Sequence, residues 1–223
     1  MDDALLKGFT IASFSRFILD LVDDPLLVEE MLELERRAPA YADRRALTAD
    51  CFRLFAGQSW SRLMTWGNEW YEQIGKHRQI PEAVTRLVAH RDHGDRVVLI
   101  SGSWLPCLLP LARDFELDAE AIVCSDLELE PDEDTLTGEA SRIILAKTKA
   151  EAVQAIALRD HADLADCFAY GDDVSDLPML KSVGHAIVVR PAQPMAELAS
   201  RLGWSILHPL SNPSAGTLIP PGA

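Results

Sequence analysis

From Pro81 onward, short apolar runs alternate with helical stretches, and this alternation limits the fold more than any other feature of the chain. "PEAVTRLVAHRDHG" reads as a helix ended by Gly94, "RVVLI" as a strand, "WLPCLLPLARDF" as a helix and "AEAIVC" as a strand. "KAEAVQAIALRDH" is again helical and "CFAY" again a strand; a short helix from Ser175, the strand "AIVV", a helix after Pro194 and the strand "WSIL" follow. Five short apolar strands separated by helices imply the α/β class: a doubly wound, Rossmann-like parallel sheet with both faces covered. Such sheets bind ligands at the carboxyl ends of their strands.

Ahead of Pro81 no strand pattern occurs. Ile11, Phe14, Phe17, Ile18 and Leu21 recur at helical spacing, and "DDPLLVEEMLELERR" offers Asp24 as N-cap with Pro25 at the first helical position. "TADCFRLFAG" and "SWSRLMTWGNEWYEQIG" continue in the same style, so residues 10–78 read as an all-helical insert. The expected division is residues 1–9 and 79–210 as the α/β core, 10–78 as the insert, and 211–223, "SNPSAGTLIPPGA", as a disordered tail rich in Pro, Gly and Ser. Trp60, Trp66 and Trp70 crowd the insert. Trp66 and Trp70 are four apart and share a helix face, which favours packing over a ligand platform.

Composition excludes several classes of function. The chain has 223 residues, 48% of them hydrophobic, enough to bury a core of its own. A net charge of −14 opposes both a nucleic-acid and an anionic-membrane partner. Cys51, Cys107, Cys124 and Cys167 are far apart and form no CxxC, so they read as reduced core thiols, and the cytoplasm fits. No leader pattern opens the chain, and no apolar run approaches the roughly 20 residues that cross a bilayer.

Polar groups gather at element ends. "VVLISGSW" ends a strand at Ser101 and is expected to enter a helix through Ser101, Gly102 and Ser103, bringing hydroxyls and free backbone N–H groups to one anion-binding point. "CFAYGDDVSD" delivers Asp172 and Asp173 at a strand tip, with Asp176 one helical turn beyond Asp172. Such oxygens suit Mg2+, which keeps several waters and takes one or two carboxylates directly. Lys149 opens the helix before that strand and could neutralise a phosphoryl oxygen. Singly, each of these features is an ordinary turn, cap or surface charge; together and in this order they favour a site.

In this combination the chain resembles the haloacid dehalogenase-like hydrolases, in particular the phosphoserine phosphatase-like branch with a helical cap. The family's second motif is matched by "VVLISGSW" with Ser101, its lysine by Lys149 in "KTKAEAVQAIA" with Lys147 as fallback, and its GD-x-x-x-D segment by "GDDVSDLPML". "LTGEA" at Leu136 to Ala140 resembles the Thr-Gly turn that precedes the lysine in this branch. The resemblance implies a Mg2+-dependent phosphatase with a small phosphorylated metabolite as partner, neither nucleic acid nor membrane, and a homodimer as one compatible state. It implies catalytic roles for Asp2, Ser101 and Lys149, substrate contacts from Ser101, Gly102, Ser103 and Lys149, and Asp2, Asp172 and Asp176 around the metal. It also makes residues 10–78 the cap, with Lys7, Arg16, Arg44 and Arg45 as candidate substrate contacts, although surface charge is the preferred role of each.

The start departs from the family's D-x-D-x-T motif. Setting "DDALLKGFT" against its continuation puts Ala4 at the Thr and Asp2 at the second Asp, so the nucleophilic Asp falls before Met1. Either the chain is a relative that binds without turnover, or the start has been set late. The late start is favoured, because losing a central strand would strand buried backbone groups at about 1–3 kcal/mol each. A valine or leucine at the middle position, encoded by GTG or TTG, would also be read as the initiator Met1.

Overall fold

The computed structural model describes residues 2–131 and 133–209, and the tail expected at 211–223 lies outside them. The described chain divides into two compact units: residues 9–77 and 101–144 form one, and residues 2–8, 78–100 and 145–209 the other.

Four helices open the first unit: α1 (Thr10–Leu19), α2 (Pro25–Arg37), α3 (Arg44–Arg53) and α4 (Trp60–Gln73). The expected cap on α2 is present, with the Asp24 carboxylate accepting from the N–H groups of Leu26 and Leu27 at 3.1 Å each. β1 (Leu99–Trp104) crosses the boundary between the units and leads to α6 (Leu105–Asp114), β2 (Ile122–Leu129) and β3 (Leu136–Arg142). These strands form one sheet in the order β1-β2-β3, with β2 and β3 antiparallel.

The helical segment does not stand as a unit alone, because its core runs on into β1. Trp104 is fully buried with ring centroids 4.7 Å from Phe55, 5.4 Å from Phe14 and 5.6 Å from Phe52, and Phe14 meets Trp70 edge-on at 6.2 Å. Burying five aromatic rings together is worth more than any boundary drawn at the end of a helical sequence pattern. Trp70 thus belongs to packing, as its face on α4 suggested, and its indole N–H donates to Ser13 Oγ at 3.2 Å.

The second unit holds α5 (Pro81–His93), α7 (Lys147–Arg159), β4 (Phe168–Gly171), α8 (Leu177–Leu180), β5 (His185–Val189), α9 (Gln193–Leu202) and β6 (Ser205–Leu207). Its sheet, β4-β5-β6, is parallel throughout, in register Gly171 to Val188 and Val188 to Ile206. Ala169, Met179, Leu180, Ala186, Val188, Met195 and Ala199 form its core, and small residues let helices lie close on the strands. Gly184 makes the turn into β5 possible, since a Cβ there would meet the Ala165 carbonyl oxygen at 1.7 Å. Residues 2–8 lie against the entry to α5: Lys7 N–H donates to Arg78 O and Ile80 N–H to Leu5 O, both at 2.8 Å.

The α/β class and all five expected strands are found. Two details differ from the sequence reading. The strands are shared between two three-stranded sheets among the described residues, and β3, read from the sequence only as a turn, is a strand. Its hairpin is held by α3 and the segment after it, with Gly57 N–H donating to Leu136 O at 2.7 Å and Leu136 N–H to Gln58 O at 2.9 Å. Short-range pattern does not contain these partners.

Candidate active site

Asp172 follows the last residue of β4, at the carboxyl end of the parallel sheet. Four residues on, Asp176 folds back over that strand end and is 3% exposed. Only glycine at position 171 permits this, because a Cβ there would lie 2.7 Å from both Cβ and Oδ2 of Asp176. Asp176 Oδ2 accepts from the backbone N–H of Asp172 at 3.1 Å and of Asp173 at 3.5 Å. Its other oxygen, Oδ1, accepts from Lys149 Nζ at 2.5 Å. Asp173 turns away to cap the short helical turn, accepting from Ser175 N–H at 3.0 Å.

Lys149 is the third residue of α7 and is itself buried, whereas Lys147 is 88% exposed in its side chain and pairs with Glu151 at 3.1 Å. The geometry therefore separates the two lysines that the sequence left open. The chain enters α7 through Ala146, whose φ of 49° lies in a region unusual for alanine. Thr148 Oγ1 secures the turn by accepting from Leu145 N–H at 2.6 Å.

Electrostatics divide the two acids. Burial and then the neighbouring Asp176 carboxylate push Asp172 up to about 7, with Asp3 and Asp173 adding to the push. Burial works in the same direction on Asp176, but the Lys149 ammonium and the Asp172 N–H outweigh it and hold Asp176 below its ordinary value. The Asp172 carboxylate accepts no hydrogen bond among the described residues. A part-buried carboxylate crowded by acids and lacking a donor is a group that a cation would satisfy.

This donor set fits Mg2+, which is content with one or two carboxylates and its own waters. Among the described residues no group of three or more His, Cys, Asp or Glu gathers as a metal cluster. Asp176, expected around the metal, has Oδ1 engaged by Lys149 and Oδ2 by the backbone N–H groups of Asp172 and Asp173. Asp2 sits in a turn, its carbonyl accepting from Ala4 N–H at 2.7 Å. The N-terminal acid whose charge acts on Asp172 is Asp3, held at φ 49° with Oδ1 accepting from Gly8 N–H at 2.6 Å.

In the other unit, Ser101, Gly102 and Ser103 differ from expectation in their local structure. They lie within β1, and α6 starts only at Leu105, with Pro106 in its first turn. Proline suits a first helical turn and moves the helix start downstream of the serines. The Ser103 N–H is not free but donates to Ser101 Oγ at 3.0 Å. Gly102 is held by Ser125, whose Oγ donates to Gly102 O at 2.8 Å and accepts from Ile144 N–H at 3.1 Å. The Ser103 hydroxyl is fully buried and has no hydrogen-bond partner among the described residues.

Two features escaped sequence reasoning. One is the influence of Asp3 on Asp172, which depends on the left-handed turn that the folded chain makes at Asp3 and not on any local sequence pattern. Glu82 and Arg190 form an ion pair across 108 residues, which no local pattern reveals.

The chain matches the haloacid dehalogenase-like hydrolase family over residues 1–181 and belongs to it, with phosphoserine phosphatases among its relatives. A probable phosphatase of Mycobacterium tuberculosis (strain ATCC 25618 / H37Rv) is 32% identical over 152 residues, 68% of this chain and 52% of the relative. A phosphoserine phosphatase of the same strain is 30% identical over 179 residues, 79% of this chain and 55% of the relative. The chain thus spans about half the length of these curated relatives. Among solved structures, a Bordetella pertussis Tohama I protein of unknown function shares the fold, with a TM-score of 0.80 at 21% identity over 93% of this chain and 95% of that one.

Proposed function

We propose that this chain carries the core of a Mg2+-dependent phosphomonoesterase acting on a small phosphorylated metabolite in the cytoplasm. The observation that supports it most is the division of labour at the end of β4: Asp176 is engaged by Lys149 and backbone, while Asp172 has no hydrogen-bond donor among the described residues. Asp172 would hold the cation, which when bound offsets the negative charge that otherwise keeps a carboxylate from a phosphate. Lys149 donates one N–H to Asp176 and has two more for phosphoryl oxygens. The family resemblance adds Ser101, Gly102 and Ser103 as further donors to those oxygens, and residues 10–78 as the cap that selects the substrate.

In this reading the nucleophile is an aspartate encoded upstream of Met1. Its carboxylate attacks phosphorus, the ester P–O bond breaks, and Asp2 protonates the leaving alkoxide. Water, deprotonated by Asp2, then attacks the aspartyl-phosphate and releases phosphate with the carboxylate restored. Relatives named as phosphatases support this chemistry, as does the acid pair. Among the described residues no helix is long and apolar enough to cross a membrane.

The test compares the chain from Met1 with one extended by about ten upstream codons, enough for a strand of about 5–6 residues and its acid. The extended protein should hydrolyse an aryl phosphate only with Mg2+, and its Asp172→Asn variant should bind Mg2+ at least about tenfold more weakly. Mg2+-dependent turnover by the Met1 chain would refute the upstream nucleophile. A stable, inactive extended protein would favour a non-catalytic binding role, and unchanged Mg2+ affinity in Asp172→Asn would remove Asp172 from the metal.

A further inference from the structure

Arg190 follows directly after β5. Because Gly171 pairs with Val188 in parallel register, Asp172 and Arg190 leave adjacent strands at the same carboxyl edge of the sheet. Arg190 holds a φ of 43°, a left-handed conformation that residues other than glycine rarely adopt, and its N–H donates to Leu207 O at 3.0 Å. From the other side Glu82, in the first turn of α5, grips the guanidinium by a single contact from Arg190 Nε to Glu82 Oε1.

That pair is not built for stability. Glu82 is 1% exposed in its side chain, and its second oxygen, Oε2, is buried without a hydrogen bond among the described residues. Burying an acid costs more than one contact returns, so an ion pair of this kind is weak evidence of stabilisation. Among the described residues Arg86, one helical turn beyond Glu82 and at the spacing of helix neighbours, makes no ion pair with it. The one-point grip leaves both Nη groups of Arg190 without an acceptor among the described residues, on a side chain 30% exposed. A bidentate pair would have consumed them.

We propose that Arg190, positioned by Glu82, binds a second oxyanion of the substrate, a carboxylate or phosphate separate from the phosphoryl group that is cleaved. The inference rests on the phosphatase reading, which places the reacting phosphoryl group at Asp172 and Lys149. That group already has a cation and a lysine; an arginine one strand away, about 5 Å in sheet spacing, faces the remainder of the substrate. Its planar fork suits either oxyanion, and lysine would not reproduce it.

The experiment measures dissociation constants by calorimetry in Mg2+ for ethyl phosphate, phosphoglycolate and 1,3-propanediol bisphosphate. The readout is the affinity ratio of each two-anion probe to ethyl phosphate. It should be about tenfold or more in the parent, as one charge-assisted hydrogen bond supplies, and fall to about unity in Arg190→Met. Glu82→Gln, which keeps the arginine but loosens it, should lower the ratio part way, a selective effect that general loss of structure would not give. A ratio raised for phosphoglycolate alone identifies a carboxylate; one raised for both probes identifies any oxyanion. A parent ratio near unity, or one unchanged in Arg190→Met, overturns the assignment while ethyl phosphate binding keeps the phosphatase reading alive. If the parent binds no ethyl phosphate, both fall. Should Arg190→Met not fold, Glu82→Gln and Arg190→Lys carry the same comparison, and an undiminished ratio in both overturns it.

Discussion

Asp172 and Asp176 stand on one turn, yet their surroundings drive their proton affinities apart, and pH should expose the difference. Asp172 titrates near 7 in the folded chain, above its ordinary 3.8, so the folded state holds the proton more tightly. Its contribution is therefore fully present below pH 3.8 and lost as pH rises toward 7. In metal-free protein, Asp172→Asn should raise the melting temperature at pH 8 and leave it nearly unchanged at pH 4; equal shifts at both pH values would contradict the assignment. Asp176 is the opposite case, a carboxylate held low by a buried lysine. Asp176→Asn would leave the Lys149 ammonium buried and unpaired, and urea unfolding should show a loss of about 3–5 kcal/mol. At this scale the sequence showed both acids and the lysine, because GD-x-x-x-D is a local pattern. The pairing of Lys149 with Asp176 was not legible, since it joins residues 27 apart through the fold.

Among the elements, β4 is only four residues long and leads straight into the acid-bearing turn, so its last residue sets the site. Gly171→Ala would press a methyl group against Asp176, and overpacking of this kind costs about 1–3 kcal/mol. The expected result is a lower melting temperature together with weaker Mg2+ binding; a lower melting temperature alone would mean that Asp176 does not orient Asp172. The β2–β3 hairpin is tied to the start of α4 through Asp134, whose carboxylate accepts from Ser59 Oγ at 2.7 Å and from Ser61 Oγ and N–H at 2.6 and 2.8 Å. This hairpin was the element that the sequence did not disclose. "LTGEASR" lacks a long apolar run, and its strand forms because Gly138, at φ 86°, fits against Arg53 at the end of α3 and Ala56 in the turn after it.

For the whole molecule, cap and core are functional proposals, and an exchange tests them. Replacing residues 10–78 by the matching segment of a relative with a different substrate should move substrate preference and leave the proposed Mg2+ requirement in place, because the residues proposed to hold the metal lie outside that segment. Preference that stays put would end the cap reading. The sequence by itself determined the α/β class, the five short strands and the acid-rich loop, because periodicity and strand-end position are local properties that the chain carries wherever it is packed. Tertiary structure alone decided the rest: that the strands fall into two sheets, that Trp104 draws the helical segment into its own core, and that Glu82 holds Arg190. The physical reason is one of range. Hydrogen bonding along a turn is written in neighbouring residues, whereas ring packing and buried charge pairing depend on groups that only the folded chain brings into contact.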